Sequence, residues 1–76
     1  MERSAQTFTL VGLALFGSFW QNQLGEVLDV SRRTIARWAA GSHPIPAPIW
    51  AELSTICLQR GRSLTAIASQ IVSQKD

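Results

Sequence analysis

An all-α domain is the fold this chain predicts, and three features of the sequence predict it. Apolar residues recur at helical spacing, i, i+3 and i+4, along most of its length. No stretch of useful length alternates apolar and polar residues as a half-buried strand does. Glycine, proline and small hydroxyl residues fall where they would cut the periodic run into five helices. The expectation is one domain over residues 1–76, a five-helix bundle, with no internal repeat and no low-complexity segment.

Taken in order, residues 1–6 are polar and are expected to fray. Thr7 or Thr9 can cap a first helix running roughly from Phe8 to Phe16. Phe8, Val11, Leu15 and Phe16 define one face of it, and Leu10 and Leu13 lie off that face. Gly17 suits the position just past a helix end, and Ser18-Phe19 links to a second helix that opens on Trp20. Leu24, Val27 and Leu28 share a face there, and Gly25 leaves room for a crossing helix. Asp29 tolerates the left-handed backbone of a sharp turn, and Val30 puts an apolar side chain beneath it. Ser31 is a good N-cap for a third helix. Ile35 and Trp38 face inward on that helix, which leaves Arg32, Arg33, Thr34 and Arg37 outside.

Ala39-Ala40-Gly41 ends the third helix, and Pro44 and Pro46 hold Ser42 to Ala47 extended or turned. Pro48 fits the first turn of a fourth helix, where its missing N–H costs nothing. Ile49, Leu53, Ile56 and Cys57 are spaced for one buried face, and Gly61 is the expected stop. Ser63 can cap a fifth helix with Leu64, Ile67, Ile71 and Val72 along one stripe. Trp20 and Trp38 are expected in the core, with Trp50 open.

The net charge is only +2, but three of the seven basic residues fall between Arg32 and Arg37. No acid interrupts Val30 to Trp38. One cysteine excludes an internal disulfide and a zinc finger, and its spacing reads as a small core hydrophobe. One histidine and five scattered acids do not assemble an acid–base pair, a nucleophile or a metal-ligand set, so no enzyme, cofactor or small-molecule substrate is expected. Phe8 to Trp20 is too short to span a bilayer. The segment before it has no net positive charge and no signal-cleavage site follows, so a cytoplasmic protein is expected. A fragment of a larger protein, such as a recombinase accessory domain, is a further reading, and the Met1 start and polar Ser73-Gln-Lys-Asp76 end are expected to count against it.

The stretch Gln21-Asn-Gln-Leu-Gly-Glu-Val-Leu-Asp-Val-Ser-Arg-Arg-Thr-Ile-Ala-Arg-Trp38 resembles the helix-turn-helix of the lambda repressor, Cro and related XRE-type regulators. The match is apolar at Leu24, Leu28, Val30, Ile35 and Trp38 and small at Gly25. It departs at Asp29, where the family usually has glycine. The resemblance extends from about Phe8 to Ile56, with the motif at about 20–40. It implies double-stranded DNA as partner and a small repressor of the phage or autoregulatory kind. It places Arg32 and Arg33 at base edges in the major groove, flanked by Thr34 and Arg37. Gln21, Ser31, Ser42 and His43 are then the phosphate candidates. A 46% hydrophobic composition with only 16% charged residues adds a homodimer. Helix five is the first choice of interface and the Trp50 side of helix four the second. Two readings compete. The arginines could line a plain solvated helix, and the apolar helices could serve a protein-binding module of the antitoxin or adaptor kind.

Overall fold

The computed structural model describes residues 3–73 and shows an all-helical chain, with no strand among them. Its elements are α1 (Ala5–Phe16), a 3-10 turn (Gly17–Phe19), α2 (Trp20–Leu28), α3 (Arg32–Ala40) and α4 (Ala47–Ser73). Among the described residues there are thus four α-helices rather than five. The expected fourth and fifth are one 27-residue helix that runs through Gly61. A lone glycine weakens a helix by about 1 kcal/mol but does not stop it, and no proline follows to forbid continuation. The apolar stripe also passes Gly61 in phase, from Leu53 through Leu64 to Ile71. Ser63 is accordingly an interior helix residue and caps nothing.

The first helix starts earlier than its threonines suggest. Ser4 is its N-cap, in extended backbone, and its Oγ accepts from the Thr7 N–H at 3.1 Å. Ser4, Ala5 and Gln6 are therefore part of the ordered N-terminus of α1. The rest of the fraying expectation, at Met1 and Glu2, lies outside the described residues, as does the polar end beyond Ser73. Gly17 ends α1 with φ 74° and ψ −152°, a backbone region open essentially to glycine alone.

Phe8, fully buried, is the hub of the core. Its ring meets the indoles of Trp20, Trp38 and Trp50 edge-on, with centroids 5.6, 5.9 and 6.2 Å away. Such edge-to-face pairs contribute about 0.5–1.5 kcal/mol each beyond their buried area. Leu24, Leu28, Ile35 and Leu53 complete the buried set. Trp20, Ile35 and Trp38 are core residues as expected, and the open case, Trp50, is half-buried at the edge.

Two expected core residues are exposed. Val27 is 49% exposed and lines an open groove opposite Ala51, Thr55 and Ile56 of α4. The buried side of α2 centres on Leu24, Gly25 and Leu28, which leaves Val27 at the open groove. Cys57 is exposed and sits on the rim of a cleft between α1 and α4, near Thr7 and Val11. By that point α4 is leaving the body, and only Ile56 still leans on the core. No helix among the described residues is long and apolar enough to cross a membrane.

Candidate nucleic-acid interface

The candidate site is the outward face of α3, and its placement begins at the turn before it. Asp29 takes up φ 58° and ψ 45°, the left-handed conformation anticipated for it. Val30 N–H then reaches back to the Gly25 carbonyl at 2.9 Å, closing the end of α2. Gly25 is buried beneath this turn. A Cβ there would come within 2.9 Å of the Val30 carbonyl oxygen and 3.6 Å of Ile35 Cγ1. The missing side chain is therefore what lets α3 sit close on α2. Ser31, in extended backbone, caps α3, its Oγ accepting from the Thr34 N–H at 3.1 Å.

With Ile35 and Trp38 buried, the remaining azimuths of α3 are set. Arg32, Arg33 and Arg37 are exposed. Ala36 and Ala40 are exposed between them, a feature the sequence reading passed over because alanine carries no polar group. Their methyls make the face shallow along its midline, with guanidinium groups on its flanks. Thr34 stands apart from this face. It is half-buried and its hydroxyl pairs with Ser31 Oγ at 2.9 Å, so its first duty is to the cap.

The expected phosphate residues fall at both ends of α3. Gln21, half-buried, lines a cleft of about 210 Å³ together with Ser18, Asn22 and Arg32. The starts of α2 and α3 thus share one polar recess, and Ser18 and Asn22 join Gln21 there although no sequence pattern singled them out. Ser42 and His43 stand past the other end of α3, in a cleft of about 440 Å³ that also holds Arg3 and Trp50. Ser42 has little left to offer an anion: its N–H and its hydroxyl both donate to the Arg37 carbonyl, at 3.1 and 3.2 Å. At that end His43 and Arg3 are both exposed and can offer donors. The nine residues of α3 separate the two clefts by about 13 Å at 1.5 Å per residue.

From Val30 to Ala51 the chain carries no acidic residue, so the α3 face and the loop after it share one sign of charge. Among the described residues no three His, Cys, Asp or Glu side chains are grouped to hold a metal. No protein-family model matches the chain, and no characterised protein or solved structure matches it either.

Proposed function

We propose that this chain is a sequence-specific double-stranded DNA-binding regulator that reads the major groove with α3 as the second helix of a helix-turn-helix. The observation that carries this reading is the two-sided character of α3. One side is locked into the core by Ile35 and Trp38, and the other presents Arg33, Ala36, Arg37 and Ala40 on a helix that carries no acidic residue. A major groove about 12 Å wide admits one helix, and small side chains along the midline let the helix backbone approach the base edges. Arg32 and Arg33, at the start of α3, are the base readers, since an arginine fork matches the two acceptors of guanine. Ala36 is placed to touch a thymine methyl. Gln21 at one end and His43 at the other hold phosphates, contacts that set register without reading sequence. Ser31 supports this by capping. Occlusion of a promoter, a repressor's mechanism, needs nothing more than the bound domain. One short helix contacts only a few base pairs, too few to single out a genomic site, so two copies on a two-fold site are proposed.

The test is a selection from random duplexes, followed by binding of wild type and Arg33→Ala to the selected site and to a scrambled one. The expected result is a loss of about 1–3 kcal/mol on the selected site and a much smaller loss on the scrambled one. Equal losses would end the base-reading role. A protein-binding module is the second reading, favoured by Leu10 and Leu13, 55% and 45% exposed on the outer face of α1. It predicts no enriched duplex at all.

A further inference from the structure

Two clefts meet at one edge of the core. The first, of about 440 Å³, lies past the end of α3 and is lined by Arg3, Trp38, His43 and Trp50 among others. The second, of about 360 Å³, runs between α1 and α4 and is lined by Arg3, Val11, Trp50, Leu53 and Cys57 among others. Arg3 and Trp50 are common to both, so the clefts adjoin and make one trough. Its long walls follow from helix spacing. Thr7 and Val11 are one turn apart on α1, and Trp50, Ser54 and Cys57 succeed one another by a turn on α4.

The two ends of the trough differ in chemistry. The end against the loop offers the Arg3 guanidinium and the His43 imidazole, both exposed and both able to donate. The end between the helices is apolar, with Val11, Leu53 and the half-buried Trp50. None of the described residues lining either cleft is acidic.

We propose that this trough binds a small amphipathic carboxylate, its anionic head held by Arg3 and His43 and its apolar body lying along Trp50 toward Cys57. Charge selects the head: an arginine fork matches the two oxygens of a carboxylate, and no acid in the described lining repels it. The apolar end selects the body. A bare phosphate would satisfy Arg3 and His43 but has nothing to lay between α1 and α4. Size selects a small molecule. Volumes of a few hundred Å³ are those of ligand sites, whereas a folded partner needs roughly 800 Å² of each surface. From Trp50 to Cys57 the helix rises about 10 Å at 1.5 Å per residue, room for one aromatic ring on a short alkyl chain. Such a ring can pack on the Trp50 indole edge-on or offset. The site stands whether or not α3 meets DNA. Its test contains no duplex, so a failure here leaves the DNA reading to be judged by its own experiment.

The probe is phenylbutyrate, and the control is phenylbutylamine, a like body with a cationic head. Both are titrated into the full chain by calorimetry and by tryptophan fluorescence, which Trp38 and Trp50 make sensitive to the trough. The expected result is one saturable site per chain for the acid, with Kd of about 1 mM or below. The amine binds at least about tenfold more weakly, the scale of a lost hydrogen bond between charged groups. Arg3→Gln/His43→Ala erases that preference while leaving the thermal midpoint unchanged, since both residues are exposed. Alkylation of Cys57 by N-ethylmaleimide reads the far end without any substitution: the acid slows it in proportion to occupancy, because the thiol lines the cleft that the ring fills. Four results would each overturn the proposal: no saturable binding of the acid up to about 10 mM, equal binding of acid and amine, a preference undiminished in the double variant, or an alkylation rate indifferent to the saturating acid.

Discussion

Gly12 sits in the middle of α1, where glycine weakens a helix by roughly 0.5–1 kcal/mol relative to alanine, and it is fully enclosed. The indole of Trp20 lies flat against its α-carbon, and a Cβ built there would run into Cε3 and Cδ2 of that ring. Trp20 is itself packed edge-on against Phe8, which resists a shift of the indole. Gly12→Ala is therefore expected to destabilise by about 1–3 kcal/mol, the cost of overpacking a core, despite alanine's better helix propensity. Urea unfolding measures it, and a gain in stability would show that the indole can shift. The sequence predicts a core position for Trp20 but is silent on Gly12. Its role exists only once α2 has folded back over α1.

At the scale of elements, α3 is a nine-residue helix, too short to persist alone in water. Ile35 and Trp38 hold its inner side, and Ser31 supplies its start. Ser31→Ala removes the acceptor for the Thr34 N–H and is expected to cost about 1 kcal/mol. The companion Ser31→Asn, which can still cap, should recover most of the loss in thermal unfolding. The α2–turn–α3 unit was legible before the fold was known because its signals are local: a cap, a left-handed turn residue, and apolar residues at i, i+3. Helix α4 is less legible, its sequence predicting two helices, because a stop at glycine is a tendency and tertiary context settles it. Hydrogen exchange should divide this helix. At concentrations where the chain is monomeric, amides around Leu53 are expected to be protected to nearly the global stability, and those beyond Gly61 to exchange fast. Uniform protection along α4 would mean the second half is stabilised within one chain.

The whole molecule measures 52 × 23 × 19 Å, the long dimension being far greater than a compact chain of this size needs. That length reflects α4 running beyond the core, and it separates the α3 face, which is basic, from the α4 stripe, which is uncharged. A net charge of +2 is small, so on the proposed DNA-binding reading the attraction would rest on the local set Arg32, Arg33 and Arg37 with His43 and Arg3 behind them. Binding should therefore weaken steeply with salt, each neutralised phosphate adding roughly 0.9 to the negative slope of log K against log salt. Gln21→Ala, a neutral contact, is expected to lower affinity for all duplexes alike and to leave that slope unchanged. Titrations at several salt concentrations read both quantities, and a flat salt response would remove the phosphate contacts altogether.

By itself, the sequence determined the all-helical class, the turn at Asp29, the cap at Ser31 and the inward side of α3. Each depends on residues within about one helical turn of one another, where backbone geometry and capping chemistry dominate. Only the tertiary structure decided that Ser4 starts α1, that Val27 and Cys57 are exposed, and that Ser42 spends its donors on Arg37. It also decided that Ala36 and Ala40 share the arginine face and that Gly61 lies inside a helix. An apolar residue at helical spacing is told which side it is on, but whether anything stands opposite depends on where the neighbouring helices end. Here α1 stops at Phe16, and α4 runs on with its apolar side uncovered.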